Sequence, residues 1–124
     1  MFVQQLVLYL CAAGFAAMGL IAILRPDRVT RQFGIAKLTL AGRNEVRAVY
    51  GGFGVAVALM LVVATRSSEL RPGICFTSAA ALAGMAAGRI VSAGMDRGIE
   101  RFPLVYLIIE AAFAAALAWV ANWS

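Results

Sequence analysis

Few residues in this chain are of types that do chemistry, and their surroundings limit what they can do. The chain has no histidine, which excludes a histidine-based metal site and a Ser-His-Asp triad. Its two cysteines, Cys11 and Cys75, lie in apolar runs, so we expect buried free thiols rather than a structural disulfide. The glycine-rich stretch 51–54 lies inside an apolar segment, which is not the context of a nucleotide-binding loop. The sequence therefore predicts no catalytic residue, no metal site and no cofactor.

Arg89 and Glu110 are the charged residues that lie deepest within apolar segments. Arg89 lies four residues before the end of the third apolar segment, and Glu110 lies seven residues into the fourth. If these segments are sequential antiparallel helices, both side chains lie roughly 6–10 Å inside the same membrane boundary. An unpaired charge at this depth costs several kcal/mol, so we expect an Arg89–Glu110 ion pair.

Other polar side chains enter the apolar segments at a similar level. Because Glu45 and Arg47 lie about 200° apart around a helix, they cannot both point inward. The cluster is interpreted either as an ion-pair network that locks three helices, or as the polar end of a cavity for an amphipathic molecule. A proton or ion path is a third interpretation, which the lack of a mid-membrane acidic residue weakens. The candidate cluster consists of Glu45, Arg47, Tyr50, Arg89, Ser92, Tyr106 and Glu110.

The elements that position this cluster are expected to cross a membrane. Hydrophobic residues make up 63% and charged residues 14% of the 124 residues. An ordinary globular protein has about 45–50% apolar and about 25% charged residues. Polar side chains are too few to cover a soluble domain of this size, so the composition predicts an integral membrane protein. It excludes a soluble enzyme, a disordered segment and a disulfide scaffold.

Four apolar stretches of roughly 19–23 residues are each long enough to cross a ~30 Å hydrocarbon core as a helix. Pro72 and Pro103 suit the first turns of the third and fourth helices. The connection from Arg25 to Asn44 is either a short interfacial helix or an irregular basic loop. The fold class is therefore all-α: an integral membrane antiparallel four-helix bundle with a short interfacial segment after helix 1. We expect one transmembrane domain over 1–124, with helices at about 2–24, 45–65, 72–93 and 103–121.

Lysine and arginine are unevenly distributed between the connections. Nine of the 11 lie in or beside the first and third connections, and only Arg66 and Arg71 lie in the second. The positive-inside rule then predicts a multi-pass protein of the bacterial inner membrane with both termini periplasmic. Anionic headgroups explain the net charge of +5 better than nucleic acid does, so membrane lipids are the expected partners. The first segment lacks a basic n-region, and we expect a retained anchor rather than a cleaved signal peptide.

Small residues recur at helical spacing in three of the predicted helices. Lipid provides no hydrophobic drive for helix association, so such residues are expected to line the faces on which helices pack closely. We expect these faces to lie inside the bundle, while Gly84 and Gly88 also suit a homo-oligomer. The residues are Ala48, Gly52 and Ala56 in the second helix, Ala80, Gly84 and Gly88 in the third, and Ala111 and Ala115 in the fourth.

The stretch 44–52, with the pattern Asn-Glu-x-Arg-Ala-x-Tyr-Gly-Gly, resembles the DUF4345 family of small bacterial four-helix membrane proteins. Gly88 and Arg89, followed by Ser92 and Asp96, and Glu110 in the last segment extend this resemblance over roughly residues 40–115. The resemblance implies a four-helix membrane fold and supports the choice of cluster residues. It implies no substrate.

Two classes of function remain from the sequence. An apolar exterior without catalytic residues favours an accessory or structural subunit that associates with a larger membrane complex or its lipids. The alternative is a binding protein, carrier or isomerase for a lipophilic ligand (a lipid, a quinone or a sterol-like molecule) that uses Glu45 and Glu110. A cavity that reaches Glu110 would favour the second class, and a solid core around Arg89 and Glu110 would favour the first. An enzymatic function is less favoured than a non-enzymatic one.

Overall fold

The computed structural model describes all 124 residues, which form helices and no strands. Four helices are long and apolar enough to cross a membrane, as the all-α prediction requires. A short helix follows the first of them. The helices are α1 (Phe2–Leu24), α2 (Pro26–Arg31), α3 (Leu40–Arg66), α4 (Arg71–Asp96) and α5 (Arg101–Asn122).

The second long helix begins earlier than the predicted start near residue 45. α3 begins at Leu40 because Thr39 caps it: the backbone N–H of Gly42 donates to the Thr39 hydroxyl at 3.0 Å. Such a cap satisfies one of the N–H groups that have no partner at the start of a helix. Arg43 therefore lies within the helix rather than before it.

The third and fourth helices also extend beyond their predicted bounds. α4 continues to Asp96 and ends where Arg97 takes a left-handed backbone conformation, with φ of 55°. A residue in this conformation commonly terminates a helix. α5 begins at Arg101, so Pro103 still lies in its first turn. The additional residues at the end of α4 and the start of α5 include Asp96 and Arg101, and hydropathy alone places such charged residues in the connection between the helices.

The connection between α1 and α3 contains a short helix followed by a non-helical stretch. α2 is a helix of six residues that begins at Pro26, and the backbone from Gly34 to Thr39 contains no helix. Val29 of α2 is buried with Ala22 of α1 and Val46 of α3. This small apolar cluster holds the connection against the two helices that it joins.

The main apolar core lies toward the start of α1, and all four long helices contribute to it. Its fully buried members include Leu8, Cys11, Leu61, Cys75 and Leu117. Both cysteines are free and buried there, as the apolar runs predicted. The two cysteines thus fill space in this core as small apolar side chains.

Two helix pairs make most of the contacts between long helices. α4 packs along α5 and α1 along α3, whereas α3 with α4 and α1 with α5 make fewer contacts. Two glutamines join the ends of these helices: Gln4 Nε2 donates to the Trp123 carbonyl at 2.9 Å, and Gln5 Nε2 donates to the Thr65 carbonyl at 3.0 Å. We refer to this end as the Gln4 end and to the opposite end, which contains α2, as the α2 end.

The prediction that the small-residue faces lie inside the molecule was wrong. A Cβ added at Gly84 or Gly88 would meet no atom within 4 Å. The buried residues of α4 include Leu82 and Ala86, which lie about 200° around the helix from Gly84, so Gly84 faces away from the core. All eight residues of these faces are exposed: Ala48, Gly52, Ala56, Ala80, Gly84, Gly88, Ala111 and Ala115.

Other glycines provide the close helix contact. A Cβ on Gly19 of α1 would lie 2.8 Å from the carbonyl oxygen of Gly51. A Cβ on Gly54 would lie 3.0 Å from the Phe15 carbonyl oxygen and 3.1 Å from Gly19 Cα. Only a residue without a side chain allows two helix backbones to approach so closely. α1 and α3 therefore cross at Gly19, Gly51 and Gly54.

Candidate polar site at the α2 end

The family-like motif forms a π-helical turn within α3, from Arg47 to Gly52. Gly51 faces α1 at close range: a Cβ at this position would lie 2.5 Å from Cγ1 of Ile23. Within this turn Tyr50 is exposed and Gly51 is buried. π turns inside α-helices are rare and frequently occur at functional sites.

The three predicted cluster residues of α3 do not enter the interior of the molecule. Glu45 is exposed. Arg47 is also exposed, and its Nε donates to the Ile23 carbonyl at 2.9 Å, so it caps the last turn of α1. Tyr50 is 39% exposed and makes no side-chain hydrogen bond. None of the three makes a hydrogen bond or salt bridge with Arg89 or Glu110.

Arg89 of α4 and Glu110 of α5 meet in a bidentate ion pair. Arg89 Nε donates to Glu110 Oε2 at 2.8 Å and to Oε1 at 3.0 Å, and Arg89 Nη2 donates to Oε1 at 2.7 Å. The Glu110 side chain is 6% exposed and the Arg89 side chain is 23% exposed. The planar guanidinium matches both carboxylate oxygens, which is the strongest geometry for such a pair. Glu110 is thus enclosed, whereas part of Arg89 remains accessible.

Tyr106 connects this ion pair to the segment after α2. The Arg89 guanidinium carbon lies 5.6 Å from the centroid of the Tyr106 ring, within the range of a cation–π contact. The Tyr106 hydroxyl donates to Gln32 Oε1 at 2.5 Å, and the Phe33 ring packs against Tyr106 with centroids 5.8 Å apart. Gln32 and Phe33 were missed by the sequence analysis, because nothing in their spacing indicates that this connection folds over α5.

An open cavity of about 740 Å³ lies between the end of α4 and the start of α5. Arg89 and Ser92 line it, whereas Glu110 does not. Ser92 is exposed and therefore belongs to the cavity wall rather than to the ion pair. The lining residues are Met85, Gly88, Arg89, Ser92, Ala93, Asp96, Gly98, Ile99, Glu100 and Pro103.

A second arginine, Arg71, lies buried at the Gln4 end. The sequence indicated for it only a location in the short second connection. It is 8% exposed, and its Nε donates to the Ala64 carbonyl at 2.7 Å. Its Nη2 donates to the Thr65 carbonyl at 3.4 Å. These carbonyls belong to the last turn of α3, where the partial negative charge of a helix favours a cation. Arg71 therefore closes the end of α3 without a carboxylate partner.

The family model described as "Domain of unknown function (DUF4345)" matches residues 3–121. The chain belongs to the DUF4345 family. The match confirms the resemblance carried by the α3 motif and extends it over nearly the whole chain. The π turn, the ion pair and the cavity of this DUF4345 protein all lie within the matched residues. No curated protein and no solved structure matches the chain.

Proposed function

We propose that this DUF4345 protein is a multi-pass protein of the bacterial inner membrane, folded as an antiparallel four-helix bundle with both chain ends periplasmic. The hydrogen bonds of Gln4 and Gln5 support the antiparallel arrangement, because they join the start of α1 to the ends of α3 and α5. Nine of the 11 lysines and arginines lie toward the α2 end. This bias supports a cytoplasmic location for the α2 end.

Within that membrane the protein acts as an accessory subunit that associates laterally with another membrane helix. The observation that carries this proposal is the outward-facing small-residue surface of α4, centred on Gly84. In lipid, helices associate where small residues allow close backbone contact. The interior supports the same function: no buried side-chain nitrogen or oxygen lacks a partner, and the Glu110 carboxylate is fully engaged by Arg89. Such an interior is suited to a stable scaffold rather than to proton transfer.

A leucine placed on this surface tests the proposal. Gly84→Leu fills the close-contact position, and Ala83→Leu adds a leucine about 100° away at another exposed position of α4. We expect wild-type and A83L proteins to migrate as a larger assembly after mild detergent extraction from native membranes, and G84L to migrate as a single chain. A wild-type protein that is already a single chain in these extracts would refute lateral association, as would an intact assembly of G84L.

A second candidate function is the binding of a lipophilic ligand at the α2 end. The observation that favours it is the open cavity whose wall includes Arg89. An isomerase mechanism is disfavoured, because Glu110 is outside the cavity lining and is held in the ion pair. Mass spectrometry of the protein purified from its own membranes tests this function: a bound lipophilic molecule at a fixed ratio to the chain is expected. Chains that carry no such molecule would contradict it.

A further inference from the structure

The polar residues of the cavity occur in a fixed order along α4. Met85, Arg89, Ser92 and Asp96 follow one another at intervals of about one turn, so the wall changes from apolar to cationic, then to a hydroxyl, then to anionic. Arg89 and Asp96 are separated by about 10 Å along the helix axis. The apolar end of this series points toward the middle of the helix, and the anionic end lies where the helix stops.

Arg89 retains donors that the protein does not use. Its Nε and Nη2 bind Glu110, whereas Nη1 donates to no protein acceptor. An arginine carries five N–H donors in a fixed planar arrangement, so the exposed part of this guanidinium can bind an oxygen of a ligand. Because Arg89 lines the cavity, a ligand in the cavity can reach these donors without disturbing the ion pair.

Two acidic side chains lie at the other end of the cavity. Asp96 and Glu100 both line it, are exposed and form no salt bridge, since the sole salt bridge of the structure joins Arg89 and Glu110. Arg97 and Arg101 adjoin these carboxylates in sequence but do not line the cavity, so the acidic side chains are the charged groups of this part of the wall. Carboxylate oxygens accept hydrogen bonds from a primary ammonium group, whereas a quaternary ammonium group has no N–H to donate. The cavity therefore offers hydrogen-bond donors at one end and carboxylate acceptors at the other.

We propose that this cavity binds a zwitterionic phospholipid with a primary-amine headgroup. Its phosphate or ester oxygens accept hydrogen bonds from Arg89, its ammonium group lies near Asp96 and Glu100, and its acyl chains pass Met85 toward the membrane interior. An anionic phospholipid lacks the cation, and a quinone or sterol lacks both charges. This inference rests on the second candidate function and names the ligand class of that site.

Lipid competition tests the assignment. The purified full chain is incubated in detergent with equimolar phosphatidylethanolamine, phosphatidylglycerol and phosphatidylcholine, and the retained lipids are counted by native mass spectrometry. We expect wild type to retain phosphatidylethanolamine preferentially. In D96N/E100Q this preference should fall by about fivefold, which corresponds to the loss of two exposed ion pairs. E69Q, which neutralises a different exposed acidic residue, serves as the matched control and should behave as wild type.

The arginine end of the site is tested with R89Q/E110Q, which removes both charges of the ion pair together. This variant should lose retention of all three lipids; if it does not fold, D96N/E100Q still decides the question, because both positions are exposed. Retention without preference, a preference for phosphatidylglycerol or phosphatidylcholine, or an unchanged preference in D96N/E100Q would overturn the inference while leaving ligand binding intact. Retention of no lipid would refute both. Gly84 does not line the cavity, so the outcome of the G84L experiment is independent of these results.

Discussion

Among single residues, the unequal exposure of Arg89 and Glu110 determines what each substitution should do. Glu110 is almost completely enclosed, so Arg89→Gln leaves a carboxylate without a partner in an apolar environment. Glu110→Gln instead leaves an arginine whose guanidinium already reaches the cavity. Removing Arg89 should therefore destabilise the protein more than removing Glu110.

We expect Arg89→Gln to lower the free energy of unfolding by about 3–5 kcal/mol and Glu110→Gln to lower it by less. The double variant should lose less than the sum of the single losses, because it leaves no unpaired charge. Thermal unfolding in detergent across the double-mutant cycle measures the coupling. Strictly additive losses would show that the contact contributes nothing to stability.

Tyr106 offers a second residue-level test of the same cluster. Tyr106→Phe keeps the ring that packs against Phe33 and Arg89 but removes the hydroxyl that binds Gln32. The expected loss is about 1 kcal/mol, the typical contribution of one hydrogen bond. Gln32→Ala should destabilise by a similar amount, and in the Tyr106→Phe background it should add little. If the two losses add fully, the connection is not held to α5 by this bond.

At the scale of helices, glycines on two faces are expected to respond oppositely to the same change. Gly51→Ala places a Cβ against Ile23 at the crossing of α1 and α3, and overpacking of this kind costs about 1–3 kcal/mol. Gly84→Ala meets no atom, and alanine is favoured over glycine in a helix by about 1 kcal/mol, so this variant should be as stable as wild type or more so. Unfolding temperatures of the two variants in the same detergent provide the comparison. Equal destabilisation by both would mean that Gly84 is buried in the folded protein.

For the whole molecule, the proposed topology makes a prediction about the chain end. The lysine and arginine bias toward the α2 end predicts that Ser124 lies on the periplasmic side. A reporter that is active only in the cytoplasm should therefore be inactive when fused after Ser124. The same reporter inserted after Gly34, in the connection after α2, should be active and serves as the control. Activity after Ser124 would reverse the proposed orientation of the cavity.

The lengths of the apolar stretches determined four membrane-length helices before any tertiary contact was known. Lipid offers no partners to backbone N–H and C=O groups, so a long apolar segment has to satisfy them within a helix. The expectation that Arg89 and Glu110 meet followed from a similar constraint, because a lone charge is costly at that depth. Helix ends were less predictable: Thr39 extends α3 by capping it, and hydropathy does not register a cap.

Which face of each helix points inward was decided only by the tertiary structure. In a soluble protein the exposed face is polar, but a lipid-facing surface is as apolar as the core, so periodicity alone did not show that Gly84 faces outward and Gly51 inward. Gln32 and Arg71 acquired their roles in the same way, through carbonyls and hydroxyls supplied by other helices. The sequence determined which groups must be enclosed in a membrane, whereas the packing of the helices against one another decided which groups enclose them.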